Sequence, residues 1–384
     1  PQAIKILADS LGLEVPQENK SPGNVNYSGS ETNYKPLYEC LNKASEFYQS
    51  QLRGHPEAHR AITYLKERGL TGEIAKYFQI GFAPPGWNNL INKFGPSELD
   101  QKRLLETGMI VRNEVGHTYD RFRDRIVFPI RDQKGRVVAF GGRVLGDDKP
   151  KYLNSPETSV FHKGSELYGF YEAKHGSRSL TRILVTEGYL DVVALAQFGI
   201  NYSVATLGTS TSQKHLERIF RLCPEVIFCY DGDDAGRKAA LRALEVTLPT
   251  MIDGRQARFL FLPEGEDPDT LIRAKGKDYF ESLITSARPL EEFLFDTLSK
   301  DIDMKTMEGR ARYSKVALPY LKCLPSGIFR ELMLQELAQR TGISKSSFAL
   351  HEENMANSLH ERKKPEEKSN SIITKVTNKP INQK

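Results

Sequence analysis

The sequence has few cysteines and no long apolar run, and each shortage excludes a class of protein. Its 384 residues include four cysteines, scattered along the chain without a C-x-x-C pair. This pattern argues against a cysteine zinc site in this chain and suits a reducing compartment. No apolar run approaches the roughly 20 residues that a membrane-spanning helix needs, and no basic segment leads into an apolar one at the N-terminus. We therefore expect no zinc, no membrane association and a cytoplasmic location.

Acidic residues are not in excess, and the charge is unevenly distributed. The formal net charge is +5. Residues 121–163 contain ten Lys and Arg against five Asp and Glu, whereas residues 181–280 contain twelve against fourteen. A basic segment beside an acidic one suits a polyanion that lies across a surface while its reactive phosphate meets metal ions.

Three short apolar runs are each followed by acidic residues and then by a helical pattern. The runs are residues 182–186 (RILVT), 225–230 (EVIFCY) and 257–262 (ARFLFL). Helical patterns follow at 190–198, at 235–248 and, shorter, from 268. Such repeats predict parallel strand–helix units. Ligands of open parallel sheets bind beyond the carboxyl ends of the strands, where these acids stand.

The acidic residues after these runs suggest metal-assisted phosphoryl chemistry. They are Glu187, Asp231, Asp233, Asp267 and Asp269. Carboxylates and substrate phosphates are the usual ligands of Mg²⁺, and two such ions can activate one oxygen while stabilising another. Any one of these acids is equally consistent with capping a helix, as the Asp267-Pro268 pair illustrates. Three clusters that each follow a strand favour function.

Several motifs carry a resemblance to a known family. Residues 187–191 (EGYLD), 231–233 (DGD) and 267–269 (DPD) resemble the signature acids of the Toprim domain, which bacterial primases, type IA and II topoisomerases and some nucleases share. Residues 81–87 (GFAPPGW), 119–126 (YDRFRDRI), 151–156 (KYLNSP) and 188–199 extend the likeness. From about residue 38 to 350, the chain resembles the catalytic core of bacterial DnaG-type primases.

This resemblance, with the patterns above, implies an α/β fold, α+β overall. We expect a Toprim-type parallel-sheet domain flanked by a mixed N-terminal subdomain and a C-terminal helical bundle. The expected boundaries are a linker at 1–36, a basic mixed α/β subdomain at 37–164, the Toprim domain at 165–288, a helical subdomain at 289–352 and a disordered tether at 353–384. We expect the family's zinc-binding and helicase-binding domains to be missing from this chain.

A basic surface is predicted in the N-terminal subdomain. Residues 119–144 predict a β-hairpin in which Arg121, Arg123 and Arg125 alternate with other residues and share one face. The further candidates for nucleic-acid or nucleotide contact are Arg143, Lys151, Tyr152, Asn154 and Lys163. Arginine, lysine and an aromatic ring suit a single-strand groove with a stacking platform. Plain solvation is the alternative, and Lys151 or Lys163 could instead meet a triphosphate.

Three other residues or segments leave alternatives open. Arg68 follows a predicted helix, where it either contacts a polynucleotide, as the resemblance implies, or stabilises the helix dipole. Residues 207–210 (LGTS) lie between a predicted strand and a predicted helix, so they either bind phosphate or cap that helix. His215, on the same helix, is expected at the surface.

The resemblance implies a primase core that makes short RNA primers on single-stranded DNA from NTPs. Glu187, Asp231 and Asp233 would be catalytic and hold Mg²⁺, with Mn²⁺ as the alternative, and Asp267 and Asp269 would complete the second metal site. The implied partners are single-stranded DNA, the RNA primer, NTPs, a replicative helicase and single-strand-binding protein at the bacterial nucleoid. The alternatives are another Toprim nuclease or topoisomerase, a non-catalytic DNA-binding scaffold, and a phosphoaspartate receiver or phosphatase.

Overall fold

A computed structural model of the chain describes residues 34–146, 148–177 and 179–344. The described residues other than 34–36 belong to one compact unit that begins at Leu37, and the following statements concern that unit. The expected linker at 1–36, apart from its last three residues, and the expected tether at 353–384 lie outside the described residues. Among the helices that are described, none is long and apolar enough to cross a bilayer.

The N-terminal half combines helices with short antiparallel strands. The helices are α1 (Lys35–Gly54), α2 (Ala58–Glu67), α3 (Gly72–Tyr77), α4 (Asn89–Phe94) and α5 (Glu98–Glu106). The strands are β1 (Gly81–Ala83), β2 (Ile110–Arg112), β3 (Thr118–Asp120), β4 (Arg125–Arg131), β5 (Val137–Val144) and β6 (Tyr152–Asn154).

The C-terminal half alternates strands with helices and then becomes helical. Its strands are β7 (Arg182–Thr186), β8 (Ser203–Ala205), β9 (Glu225–Tyr230), β10 (Gln256–Phe261) and β11 (Arg288–Pro289). Its helices are α6 (Phe170–Gly176), α7 (Tyr189–Gln197), α8 (Gln213–Phe220), α9 (Asp234–Thr247), α10 (Pro268–Thr285), α11 (Leu290–Ser299), α12 (Met307–Lys322) and α13 (Ile328–Thr341).

Two main sheets define the architecture. Strands β1, β4, β5 and β6 form an antiparallel sheet in that order. The second sheet has the order β11-β10-β9-β7-β8, and its β10–β9, β9–β7 and β7–β8 pairs are parallel. The predicted α/β class with a Toprim-type parallel sheet and a helical C-terminal region is confirmed.

Both faces of the parallel sheet are buried, which explains why its strands are continuous apolar runs. In β9, Phe228 and Tyr230 pack on the face that the C-terminal helices cover, together with Phe259 and Phe293. Ile227 packs on the opposite face, which α10 covers. Side chains alternate between faces along a strand, so one apolar run supplies two cores.

A shared core joins the two sheets. The Tyr189 ring, from α7, stacks on Phe128 of β4 with a centroid distance of 5.4 Å. A Cβ at Gly141 would lie 2.4 Å from that tyrosine ring, so the glycine permits the approach. A buried ion pair of 2.6 Å between Arg131 of β4 and Glu172 of α6 adds a polar connection. The antiparallel sheet is therefore fixed against the elements that carry the predicted acids.

The predicted hairpin is present, but the predicted arginine face is wrong. Strands β4 and β5 pair antiparallel around the turn at residues 132–136. Residues 121–124 precede β4, and Asp124 has a φ of 47°, so the backbone turns there instead of continuing as a strand. Arg125 is buried and donates to the Pro150 carbonyl oxygen at 2.9 Å. Alternation along the chain therefore does not place the three guanidinium groups on one face.

Candidate active site

Three adjacent parallel strands end at the same edge of their sheet and deliver the predicted acids there. In the registers, Phe261 of β10 pairs with Tyr230 of β9, and Val185 of β7 pairs with Phe228. Glu187 follows β7, Asp231 follows β9 directly, and the 267–269 segment opens α10 beyond β10. The predicted convergence of three acidic clusters thus follows from strand order.

Glycines allow the loops that carry these acids to pack closely. A Cβ at Gly232 would lie 2.3 Å from the carbonyl oxygen of Leu262, and one at Gly236 would lie 2.2 Å from that of Asp231. A Cβ at Gly188 would meet the carboxylate of Asp191 at 2.8 Å. The absence of a side chain at these three positions therefore lets neighbouring protein atoms pack against the acidic loops.

The carboxylates affect one another electrostatically. Partial burial, then Asp231 and Asp233, raise the pKa of Glu187. Burial, then Asp267 and Asp233, raise the pKa of Asp231. Glu187, Asp231 and Asp233 form no ion pair within the described part of the chain. These three carboxylates therefore concentrate negative charge without an ion-pair partner among the described residues.

Two of the predicted acids also cap helices. Asp233 Oδ1 accepts a hydrogen bond from the Gly236 amide at 2.7 Å at the start of α9. Asp267 Oδ1 accepts one from the Thr270 amide, also at 2.7 Å, at the start of α10. Capping and participation in the acidic cluster, which the sequence posed as alternatives, therefore occur together.

Asp269 differs from the other acids because two arginines neutralise it. Its side chain is 2% exposed and forms ion pairs with Arg68 and Arg273. The Arg273 Nε–Asp269 Oδ1 distance is 2.8 Å. Arg68 comes from the end of α2, so its ion pair joins the N-terminal half to α10. The helix-dipole interpretation of Arg68 misses this partner, and Asp269 has less free charge to offer a metal than Asp267.

Asp191 is a member of the cluster that the sequence-based residue set omitted. Its Oδ2 accepts a hydrogen bond from the Gly188 amide at 3.0 Å. Burial, then Asp267 and Asp269, raise its pKa well above the usual range. The sequence does contain a pattern that points to Asp191. This residue ends the 187–191 motif and occupies the third position of α7, where a capping box places a polar side chain.

The donor set fits a hard divalent cation in its chemistry. Carboxylate oxygens are the ligands that Mg²⁺ prefers, and the pKa values of Glu187 and Asp231 are raised first by burial and then by neighbouring carboxylates. Among residues 34–146, 148–177 and 179–344, however, no three His, Cys, Asp or Glu side chains are already close enough to hold an ion together.

Part of the predicted basic surface gathers around one tyrosine that the sequence did not single out. The Arg143 guanidinium lies 4.1 Å from the centre of the Tyr64 ring, and that of Arg68 lies 5.4 Å from it. The Nε of Arg143 is buried and has no hydrogen-bond partner in the described residues. Tyr152, 39% exposed, lies close enough for Arg143 to influence its pKa, which burial raises overall. These four residues, hereafter the tyrosine–arginine cluster, border Asp269 through Arg68.

The remaining basic candidates separate into structural and exposed groups. Arg121 donates to the Asn154 carbonyl oxygen at 2.9 Å. Asn154 Nδ2 donates to the Leu207 carbonyl oxygen at 2.9 Å, and Asn154 Oδ1 accepts from the Tyr189 hydroxyl at 2.6 Å. Asn154 therefore joins the two sheets, whatever else it contacts. Lys151 is exposed and Lys163 is half-buried.

Arg123 lies over the ring of Trp87, a residue that the sequence analysis includes only in the 81–87 motif. Its guanidinium lies 4.4 Å from the Trp87 ring centre and 5.0 Å from that of Tyr119. Trp87 is 62% exposed, although a large apolar ring is usually buried. An exposed aromatic beside an arginine is the combination that single-strand binding surfaces use. Because Trp87 precedes α4 and lies outside any helix or strand, no hydrophobic periodicity in the sequence indicated its exposure.

His215 is a correction, because it is buried rather than at the surface. Its Nδ1 accepts from the Ser212 amide at 3.2 Å, so its Nε2 carries the proton and donates to the Lys163 carbonyl oxygen at 2.8 Å. Burial, the largest influence, lowers the pKa of its imidazole. It caps α8 and attaches the segment around Lys163 to that helix.

Comparison with known families matches three consecutive regions of the chain. Residues 47–174 match the N-terminal domain of the DNA primase catalytic core, and residues 184–272 match a Toprim-like family. Residues 291–346 match the DnaB-helicase binding domain of primase. The expectation that the helicase-binding domain is missing from this chain is therefore wrong: α12, α13 and all of α11 except Leu290 lie in that region.

The curated relatives described below are both named DNA primase. The DNA primase of Pseudomonas aeruginosa is 54% identical over 346 residues, which is 90% of this chain and 52% of the relative. The DNA primase of Escherichia coli K12 is 51% identical over 347 residues, or 90% of this chain and 59% of the relative. The chain thus spans about half the length of the curated relatives it matches.

Solved structures match over nearly their whole length. A DNA primase domain from Pseudomonas aeruginosa is 57% identical with a TM-score of 0.80, covering 81% of this chain and 98% of that one. A DnaG primase catalytic domain bound to single-stranded DNA is 52% identical with a TM-score of 0.78, covering 82% and 98%. Since more than half of the aligned residues are identical across a complete catalytic core, the chain belongs to the family of DnaG-type DNA primases.

Proposed function

We propose that this chain is the RNA-polymerising core of a bacterial primase, which copies single-stranded DNA into short RNA primers. The observation that carries the proposal is the meeting of two surfaces at the Arg68–Asp269 ion pair. On one side lie carboxylates from three adjacent strand ends, and on the other lies the tyrosine–arginine cluster. A polynucleotide held by the cations would have its reactive end beside the carboxylates.

The proposed reaction is nucleotidyl transfer. The 3′-hydroxyl oxygen of the growing RNA, or of the first nucleotide, bonds to the α-phosphorus of an NTP. The bond between that phosphorus and the bridging oxygen of the β-phosphate breaks, and pyrophosphate leaves. The hydroxyl proton passes to solvent or to a nearby carboxylate, for which Glu187 is the candidate because its pKa is raised.

Glu187, Asp231 and Asp233 are the proposed ligands of Mg²⁺, with Mn²⁺ as the alternative. When bound, such an ion supplies positive charge to the phosphate oxygens and lowers the pKa of an attacking hydroxyl. Asp267 retains one carboxylate oxygen beyond its cap, so it suits the second metal site better than Asp269 does. Asp269 instead positions Arg68 and the start of α10.

The tyrosine–arginine cluster and Arg123 are the proposed contacts for template, primer or NTP. The Arg143 guanidinium, held over the Tyr64 ring, supplies a planar cation of the kind that suits phosphate oxygens. The exposed Trp87 ring beside Arg123 offers a stacking surface for a base. Lys151 and Lys163 remain candidates for either the polynucleotide or the triphosphate. Arg121 and Asn154 have a structural role in this proposal, because their side chains donate to the carbonyl oxygens of Asn154 and Leu207 respectively.

Partners follow from the family matches. We propose that residues 291–346, which include α12, α13 and all of α11 except Leu290, contribute to contact with a replicative helicase of the DnaB type. Single-strand-binding protein is a further candidate partner, and the bacterial cytoplasm is the proposed location. A pull-down of the helicase with the chain, compared with the chain ending before residue 289, tests the helicase contact. Equal capture by both would contradict it.

The central test is incubation with single-stranded DNA, labelled NTPs and Mg²⁺ or Mn²⁺. We expect short RNA products from the wild type, loss of products with Asp231→Asn, and normal products with Asp301→Asn, an exposed acid outside the cluster. Degradation of the DNA without synthesis would favour the Toprim nuclease alternative. Unchanged synthesis by Asp231→Asn would reject the proposed catalytic cluster.

A second test addresses the nucleic-acid surface. Replacing Arg123 and Arg143 by Gln should weaken binding of single-stranded DNA and reduce its salt dependence, because fewer phosphates are neutralised. The matched control is Arg312→Gln with Lys315→Gln, which removes two positive charges from exposed positions of α12. If the slope of log affinity against log salt is the same in all three proteins, the two arginines do not contact the template.

A further inference from the structure

A cavity of about 260 Å³ opens beside the acidic cluster and is not explained by the carboxylates alone. It lies beyond the carboxyl ends of β7, β8 and β9, and Glu187 forms part of its wall. The hydroxyl-bearing residues Thr209, Ser210 and Thr211 line it from one side, and Arg242 of α9 lines it from the other. Two separate elements therefore direct hydrogen-bond donors into one space.

The hydroxyl-bearing loop is fixed at its first end. The Leu207 carbonyl oxygen accepts from Asn154 Nδ2 at 2.9 Å. The next residue, Gly208, has a φ of +73°, which favours glycine, and a Cβ there would lie 3.1 Å from the same amide nitrogen. The turn and the close approach together set the direction in which residues 209–211 leave.

The second end of the loop is fixed through α8. The Ser212 hydroxyl donates to the Gly164 carbonyl oxygen at 2.5 Å and accepts from the His215 amide at 3.2 Å. The His215 ring in turn donates to the Lys163 carbonyl oxygen. The loop is thus anchored on both sides of Thr209 and Ser210, since the Thr211 side chain also hydrogen-bonds Tyr230, and Lys163, a candidate for triphosphate contact, lies at its anchor.

The charge around the cavity selects anions that carry a metal ion. Arg242 is exposed and forms no ion pair with any residue in the described ranges. Glu187 is the one carboxylate among the residues that line the cavity. A free guanidinium with hydroxyl donors is suited to phosphate oxygens, while Glu187 opposes an anion unless a cation stands between them.

We propose that this cavity holds the diphosphate end of a nucleoside triphosphate, and the pyrophosphate that leaves, with Arg242 as its principal cationic contact. The proposal rests on the proposed function, because it places the leaving group next to Glu187, where nucleotidyl transfer needs it. Arg242 would hold the β- and γ-phosphate oxygens, and the exposed Thr209 and Ser210 would add hydroxyl donors. The base and sugar would lie outside the cavity, toward the tyrosine–arginine cluster.

Calorimetric titration with pyrophosphate in the presence of Mg²⁺ tests the site directly. We expect Arg242→Gln to weaken pyrophosphate binding by about 10-fold or more, since a charge-assisted hydrogen bond is lost. Lys238→Gln removes one charge from the same helix outside the cavity, so its affinity should stay within about twofold of wild type. Titration with an NTP should show the same dependence on Arg242, and titration with uridine should show none.

Two outcomes overturn the proposal: no binding of pyrophosphate by the wild type at millimolar concentration, or equal losses in Arg242→Gln and Lys238→Gln. Primer synthesis on the same preparations separates this proposal from the proposed function. If RNA is made and Arg242→Gln leaves the pyrophosphate affinity unchanged, the cavity assignment is wrong and the proposed polymerase function is retained. If pyrophosphate binding depends on Arg242 and no preparation makes RNA, the cavity assignment stands and the polymerase assignment fails.

Discussion

Removing one charge from the acidic cluster should stabilise this protein in the absence of divalent ions. Burial and the carboxylates of Asp267 and Asp233 raise the pKa of Asp231, so its ionised form is unfavourable in the folded state. At a partly exposed site, after allowance for solvent screening, such repulsion is worth on the order of 0.5–1 kcal/mol. Asp231→Asn should therefore raise the free energy of unfolding by about that amount, or the Tm by roughly 1–2 °C.

Mg²⁺ should reverse the order of stability. A ligand that binds only the folded protein, at ten times its Kd, adds about 1.4 kcal/mol. The wild type should gain this stabilisation, whereas Asp231→Asn has lost a proposed ligand and should gain much less. The variant is thus expected to melt above the wild type in EDTA and below it in Mg²⁺.

Differential scanning calorimetry in EDTA and in Mg²⁺ measures this crossing, with Asp301→Asn as the control for loss of an exposed acid. A pH series tests the direction in which the free energy of unfolding changes with pH. Because the folded-state pKa of Asp231 lies above its unfolded value, its share of wild-type stability should fall as pH rises through the folded pKa, and Asp231→Asn should lack that share. A variant that is less stable in EDTA, or that responds fully to Mg²⁺, would refute the reasoning.

The other predictions test parts of the structure outside the acids. Tyr64→Leu should weaken single-stranded DNA binding about 3- to 10-fold in fluorescence anisotropy, because the arginines lose their ring, while Tyr64→Phe should bind nearly as wild type; equal losses would point to the hydroxyl instead. Glu172→Leu should lower the free energy of unfolding by about 3–5 kcal/mol, since Arg131 is left buried and unpaired, and a loss below about 1 kcal/mol would contradict this. Burial, the largest influence, raises the pKa of Asp120 to about 6, so its contribution to stability should fall by up to about 1.4 kcal/mol per pH unit as pH rises from about 4 to 6; denaturant melts of Asp120→Asn should lack this slope.

The sequence predicted the parallel sheet well because its strands are buried on both faces. A continuous apolar run such as 225–230 has few other structures available, and β9 occupies those residues. The helix that follows was predicted at 235–248 and is found one residue earlier, Asp234–Thr247. The helix from residue 268 runs longer than expected, to Thr285, and contains a break where Gly276 has a φ of 79°.

The basic side of the site was harder to predict because its geometry depends on distant contacts. The alternating arginines of 121–125 have a strand-like pattern, but the left-handed backbone of Asp124 and the 3.0 Å ion pair of its carboxylate with Arg60 direct the chain elsewhere. The partner of Arg68 is 201 residues away in the sequence. Local periodicity contains no information about such pairs. Whether a given arginine is exposed or is buried in an ion pair is therefore visible only in the folded structure.

The Arg68–Asp269 pair explains why two oppositely charged surfaces can lie together. Without it, a buried carboxylate would add to the repulsion among Glu187, Asp231 and Asp267, and a free guanidinium could reach into the proposed metal site. With it, Asp269 and Arg68 neutralise each other, and Arg273 forms a second ion pair with Asp269. The unneutralised acids then remain on one side for cations, and Arg143 on the other for phosphates. A nucleotide that bridges the two sides, as we propose, would therefore replace interactions with solvent rather than break an ion pair, and this would favour the orientation that the proposed nucleotidyl transfer requires.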